Sequence, residues 1–264
     1  MANILTKTDN GIMHISLNRP EVKNAMSLAL LEDLLAALDE AESDDDVRVI
    51  VIRGADGNFS AGADIKDMAA ANAAQNAREA LHALSCRFGN MVARFTQTPR
   101  TVITALEGAV MGGGFGLACA SDIAIASHTV KFALPEVTLG LLPAQIAPVL
   151  LERIGYSQAK RLGVTGARID ANEAFNIGLV HAVTDEMDVA LSRAIDDALR
   201  CAPDAVAATK KLLWEARFAH SDTLVAHAAD LFVDAVTGPE GAEGTRAFVE
   251  KRKAAWMPQD RLAE

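Results

Sequence analysis

The run Gly112-Gly113-Gly114-Phe115-Gly116 and the carboxylate of Glu136 are the residues of this chain whose types could do chemistry. Consecutive glycines let backbone N–H groups approach a ligand with no side chain in between. Where such a run opens a helix, its first N–H groups have no intrahelical acceptor and suit a negatively charged oxygen. A second small-residue stretch, Phe59-Ser60-Ala61-Gly62-Ala63-Asp64-Ile65-Lys66, offers the same exposure after an apolar run ending near Arg53. Two such turns at the carboxyl ends of one parallel sheet can converge and place two donors on one oxyanion. Glu136, in Leu134-Pro135-Glu136-Val137 before Gly140-Leu141-Leu142-Pro143, is a carboxylate among apolar neighbours. Burial raises the pKa of such a group, which suits proton transfer near neutral pH. Each feature taken singly has a plainer reading: close helix packing for the glycines, a solvated loop edge for Glu136.

Other chemistries are disfavoured. The third glycine of a G-x-G-x-x-G fingerprint would fall on Leu117, and no Gly-Lys-Ser/Thr follows, so neither a dinucleotide nor an ATP site is supported. His14, His82, His128, His181, His220 and His227 form no ligand pair, and Cys86, Cys119 and Cys201 have no zinc spacing. Three distant cysteines suit a reducing compartment and are expected as buried small hydrophobes. The formal net charge of −10 repels polyanions, which disfavours nucleic acid and anionic membranes. Lys251-Arg252-Lys253 is the one basic cluster, readable as a solvated helix end or as a contact for a few phosphates. No apolar stretch approaches the roughly 20 residues of a membrane span, and the N-terminus lacks a signal-peptide layout. A cytoplasmic protein is expected.

The chain of 264 residues, half of them apolar, can build a sizeable core. Ile4 to Thr8 and Ile12 to Leu17 flank Asp9-Asn10-Gly11 and predict a hairpin. Ser27 caps a predicted helix with Leu28, Leu31, Leu34, Leu35 and Leu38 at helical spacing, ending near Asp44-Asp45-Asp46. Val47 to Ile52, Thr101 to Leu106 and Ile123 to Ala126 read as strands, the last two separated by the glycine-led helix through Ala120. That alternation implies an α/β fold with right-handed parallel crossovers. After residue 140 helices dominate, with Asp170-x-x-Glu173 as a capping start, Gly178 as a stop and Leu179 to Val183 as a last strand. Asp204 to Phe218 and Ser221 to Val236 are amphipathic helices that either close the core or meet another subunit. Gly238-Pro239-Glu240-Gly241 breaks the pattern and leaves Thr245 to Lys253 as a terminal basic helix.

These segments in this order resemble the crotonase, or enoyl-CoA hydratase/isomerase, superfamily along nearly the whole chain. Asn18-Arg19-Pro20 with Asn24-Ala25-Met26 resembles its first motif, Phe59 to Asp64 its second, and Gly108 through Ala126 its third. Pro135-Glu136 with Leu139-Gly140, then Ala247-Phe248-Val249-Glu250-Lys251-Arg252-Lys253, complete the set. The resemblance implies a spiral of ββα turns over residues 1–190 and a helical region over 191–264 that mediates trimers, commonly paired into hexamers, and completes the CoA pocket. It puts the backbone N–H groups of Ala63 and Gly113 at the oxyanion hole and Glu136 at an acid/base position. It sets Ala25, Ala61, Asp64 and Ile65 along the coenzyme A channel, with Lys23 near the CoA phosphates. The implied partner is an acyl-CoA substrate; no metal or separate cofactor is implied.

Family hydratases generally carry a first glutamate two residues after the glycine triplet, and here that position is Gly116. One carboxylate is enough for a double-bond isomerase, or for a hydratase in which Glu136 handles both protons. Gly114-Phe115-Gly116-Leu117-Ala118 and Leu142-Pro143-Ala144-Gln145-Ile146-Ala147-Pro148 resemble the bacterial branch that hydrates methylglutaconyl- and isohexenylglutaconyl-CoA, which favours hydration. A glycine at 116 is then expected to make space and remove charge beside the reacting carbons. Gln145 reads either as a ligand for a substrate carboxylate or water, or as a helix-surface residue. A catalytically silent CoA-binding assembly protein is the alternative from another class.

Overall fold

The computed structural model describes residues 2–258. Strands β1 (Ile4–Asp9) and β2 (Ile12–Leu17) pair antiparallel, with Asp9 opposite Ile12. The loop is therefore Asn10-Gly11, both at positive φ (49° and 78°), the geometry that matches hairpin twist. Helix α1 (Leu28–Ser43) starts at Ser27, whose Oγ accepts the Leu30 N–H at 3.2 Å. Strand β3 (Val49–Gly54) begins two residues later than expected, because Val47 N–H bonds Asp44 within the acidic turn. Then come α2 (Ile65–Ala73), α3 (Ala77–Gln97), β4 (Thr101–Leu106), β5 (Ala109–Met111), α4 (Gly113–Ala120), β6 (Ile123–Ser127) and β7 (Lys131–Ala133). The second half holds α5 (Ala147–Thr165), β8 (Ile169–Asp170), α6 (Ala171–Asn176), β9 (Ala182–Thr184), α7 (Met187–Leu199), α8 (Pro203–Ala216), α9 (Ser221–Thr237) and α10 (Pro239–Val249).

The larger sheet has the order β1-β2-β3-β4-β6-β9, parallel throughout except for the opening hairpin. A smaller layer, β5-β7-β8, is extended by single parallel bridges from Ser60 to Val110 and from Ala63 to Met26. Each turn of the chain thus lays one strand in the large sheet, one short extended piece in the small layer, and then a helix. This is the spiral of ββα turns that the sequence resemblance implies. Val49-Ile50-Val51-Ile52 is apolar on both sides because the sheet is covered on both faces. Ile50 and Ile52 join the main core with α1, whereas Val49 and Val51 pack with Ile12, Ile103 and Ile125 under Met187, Leu191, Ile195 and Leu199 of α7.

Several expectations change. Leu179 and Val180 are buried but precede the strand: their N–H groups return to Ala174 at the exit of α6, so β9 starts at Ala182. Pro239 begins α10 rather than breaking it, and the helix stops at Val249, so Lys251, Arg252 and Lys253 lie beyond it. Arg252 bonds the carboxylates of Glu243 and Glu250, and Arg252 and Arg246 pull the Glu243 carboxyl down to about 2. The Arg252 charge is therefore already paired within the chain. Of the cysteines only Cys119 is buried, its thiol pushed up to about 12 by burial; Cys201 is exposed. No helix among the described residues is long and apolar enough to cross a membrane, and none of their side chains cluster as a metal site.

Helix α4 has no side-chain cap at its N-terminal end. Arg153 of α5 supplies one at its C-terminal end, donating to the Cys119 carbonyl at 2.9 Å and to the Ser121 carbonyl. The same guanidinium lies 3.2 Å from His181 Nε2, while His181 Nδ1 accepts the Ala124 N–H at 2.9 Å. Burial, and then the Arg153 charge, hold His181 below its usual 6.5. The unfolded chain therefore takes up this proton first. The stability His181 contributes is present above about pH 6.5 and is lost as pH falls from there through the lower folded value. Thermal midpoints measured from pH 8 to pH 5.5 should decline, and His181→Asn, which keeps an acceptor for Ala124, should flatten that slope.

Candidate active site

Gly62 (φ +98°) and Gly112 (φ +47°) face each other where the two sheet layers meet. A Cβ on Gly62 would lie 3.1 Å from the Met111 carbonyl oxygen and 3.6 Å from Gly112 Cα. Only two glycines let these backbones touch, and both φ values are ones that side chains rarely adopt. The contact is fixed by a ladder: Ser60 N–H to Ala109, Met111 N–H to Ser60, Met26 N–H to Gly62 and Asp64 N–H to Met26, at 2.7 to 3.0 Å.

The residue after each glycine is the one that matters. Ala63 pairs with Met26 only through its neighbours' groups, and Gly113 is the first residue of α4, with no carbonyl four residues back in the helix. Neither N–H has a hydrogen-bond acceptor among the described residues. Two unpaired donors thus stand on adjoining backbones, one of them at a helix N-terminus.

Glu136 sits over the same point. Residues Pro135–Leu139 form a 3₁₀ turn, closed by Gly140 in the left-handed region, and this turn presents the carboxylate to the glycine pair. Its Oε1 is 2.8 Å from where a Cβ on Gly112 would be, and its Oε2 is buried without a hydrogen-bond partner. Burial pushes its carboxyl up from the ordinary value. A proton acceptor with a free oxygen beside two free donors can take a proton from one atom while the donors hold negative charge on another.

Each glycine of the α4 run answers to a different neighbour. A Cβ at 113 would meet Met26 Sδ and Phe88 Cε2 at 3.1 Å, at 114 the Ser60 side chain at 2.7 Å, and at 116 Ile146 Cγ1 at 3.0 Å and Phe88 Cζ at 3.3 Å. The space expected beside Gly116 is therefore occupied by apolar groups, Ile146 from the segment before α5 and Phe88 from α3. Nothing in its local sequence singles out Phe88; the buried Met91, Val92 and Phe95 that follow on α3 mark the stripe it belongs to.

The other expected residues divide by exposure. Lys23, Ala61 and Ile65 are exposed, and the Ala61 N–H bonds the Lys23 carbonyl at 2.8 Å, so they share one surface. Ala25 and Asp64 lie beneath it. The Asp64 carboxylate is already engaged: it caps α2 through the Lys66 N–H at 3.0 Å and pairs with Arg19 at 2.8 Å. Burial pushes its carboxyl up, but Arg19 and Lys66 outweigh that and hold it below its usual range. Arg19 also donates to the Ala25 carbonyl at 2.6 Å, tying the 24–26 turn to the 61–65 turn. That clamp was not evident from the sequence, where Arg19 stood only as part of a motif.

Known proteins of similar sequence and shape carry the same architecture. The family model described as enoyl-CoA hydratase/isomerase matches residues 7–259. A probable enoyl-CoA hydratase of Bacillus subtilis is 33% identical over 258 residues, covering 96% of this chain and 98% of its own. A trans-2-decenoyl-[acyl-carrier-protein] isomerase of Streptococcus mutans is 30% identical over 257 residues, covering 95% and 96%. Among solved structures, AtuE of Pseudomonas aeruginosa superposes with a TM-score of 0.94 at 47% identity, covering 97% of this chain and all of that one. None of these three names a glutaconyl substrate.

A carboxyl whose folded pKa is raised favours the folded state only while protonated; its contribution is present below the unfolded pKa and lost as pH rises through the folded value. Glu136→Gln should therefore raise the thermal midpoint at pH 8, with a gain that shrinks toward pH 4. A variant equally or less stable at pH 8 would show that the carboxylate is held by groups that offset its burial.

Proposed function

The chain belongs to the enoyl-CoA hydratase/isomerase family, and from that premise we propose that it adds water to the double bond of a branched glutaconyl-CoA thioester, such as 3-methylglutaconyl- or isohexenylglutaconyl-CoA. The observation that carries this reading is the single carboxylate with a buried, unpartnered oxygen beside two unpaired N–H donors, with apolar Ile146 and Phe88 where a second carboxylate would stand. In the reaction the Ala63 and Gly113 N–H groups donate to the thioester carbonyl oxygen. Glu136 takes a proton from water as the oxygen bonds the β-carbon, and the double-bond electrons move onto the carbonyl as an enolate. Glu136 then returns the proton to the α-carbon, so one water is added and the carboxylate is regenerated. Each oxyanion donor of this kind is worth about 10²- to 10³-fold in rate. Coenzyme A enters as part of the substrate, along Lys23, Ala25, Ala61, Asp64 and Ile65, with Lys23 toward its phosphates. No step calls for a metal or redox group.

The helical region beyond about residue 190 is proposed as the surface for self-association into trimers or pairs of trimers. No residue of α8 or α9 is fully buried within the chain, and Leu213, Phe218, Val225, Phe232 and Val233 stand exposed. Phe232→Asp should lower the mass seen in sedimentation from three or six chains toward one; a single-chain wild type would contradict this.

Turnover of 3-methylglutaconyl-CoA in heavy-oxygen water tests the reaction. The expected product carries one heavy oxygen, and Glu136→Gln lowers its formation by about 10²- to 10⁴-fold. In the wild type, kcat/KM should fall as pH drops below the raised Glu136 pKa, because the base must be ionised. A shifted double bond without oxygen would instead make the protein an isomerase, and binding without conversion a silent CoA-binding protein.

A further inference from the structure

Gln145 is not a helix-surface residue. It lies one residue before the cap of α5, half-buried against α3, and a Cβ on Gly89 would come within 2.5 Å of its Oε1. Glycine weakens a helix interior, so Gly89 in the middle of α3 stands out as a notch that admits this side chain. A second notch, Gly116 of α4, admits the adjacent Ile146. The segment 142–146 is thus seated between α3 and α4 by two neighbouring residues.

Ser85, Phe88, Gly89 and Val92 share one face of α3. Phe88 covers Gly113 and Gly116, and Gln145 Nε2 donates to Ser85 Oγ at 3.2 Å, one residue from Ile146 on its own segment and about one turn from Phe88 on α3. With Oε1 pressed against α3, the hydrogens left to this pair are the second amide N–H and the Ser85 O–H. Two free donors on adjoining groups suit a carboxylate. Both residues are only half-buried, so the pair is open to an acyl chain that extends past Ile146.

We propose that Gln145 and Ser85 form the recognition point for the distal carboxylate of the acyl group. The inference rests on the glutaconyl reading given above. Gln145→Glu replaces the donor with a like charge and keeps the shape of the side chain; Ser85→Ala removes the second donor.

The test compares 3-methylglutaconyl-CoA with its distal methyl ester, in the wild type and both variants. The expected result is that Gln145→Glu raises KM at least about tenfold more for the acid than for the ester, with kcat on the acid changed far less, and that Ser85→Ala moves the same way to a smaller extent. Equal losses on acid and ester would mean that Gln145 only seats the segment, and would overturn the proposal while leaving the hydratase reading intact. Unchanged kinetics in both variants would overturn it likewise. A wild type that hydrates crotonyl-CoA but neither glutaconyl thioester would remove the glutaconyl reading and this inference together.

Discussion

The contact between Gly62 and Gly112 is the constraint on which the site depends. Everything that could do chemistry is one step from it: Ala63 and Gly113 follow the two glycines, and Glu136 leans on Gly112. The contact forms only because the 60–63 segment and β5 run parallel in the small layer, and that pairing exists because each turn of the spiral ends its long strand at the same edge. Arg19 holds one side through Asp64 and Ala25, and Arg153 holds the far end of α4. These two arginines act at opposite ends of the same piece of backbone geometry.

A site built in this way leaves polar groups unpaired. A buried acceptor without a partner costs free energy, commonly about 1 to 3 kcal/mol, and here the Glu136 Oε2 is buried and unpaired beside two N–H groups that have no acceptor among the described residues. The surrounding structure tolerates this because the large sheet is covered on both faces and the α4 helix is apolar along its whole length. A substrate carbonyl and a water would supply partners for these groups, so the unpaired groups are the ones that recognise the reacting atoms. The absence of a carboxylate at 116 fits the same pattern: a second buried acid between Ile146 and Phe88 would face still less compensation.

Local signals made most of the architecture legible in the sequence. The Asn10-Gly11 turn, the Ser27 cap and the Thr101 to Leu106 strand lie where the residues imply, because each is decided by neighbours in the chain. Helix α10 starts earlier than the pattern implies because Pro239 both ends one pattern and starts the next, and proline at a first helical turn is favourable. Leu179 and Val180 look like strand because they are buried, yet it is the exit of α6 that buries them. At the site, the glycine runs and Glu136 could be read from composition. Phe88, Gly89 and the Arg19 to Asp64 pair could not, since each takes its meaning from a partner tens of residues away.

The central claim is that two backbone N–H groups on adjoining glycine turns polarise a thioester carbonyl independently of the carboxylate. Difference infrared spectroscopy of a bound enoyl-CoA carrying a ¹³C-labelled thioester carbonyl tests it most directly. The carbonyl stretch should move to lower frequency on binding and stay shifted in Glu136→Gln, because that variant leaves both donors in place. A stretch unchanged from that in water, or a shift that disappears with the Glu136 carboxylate, would contradict the account.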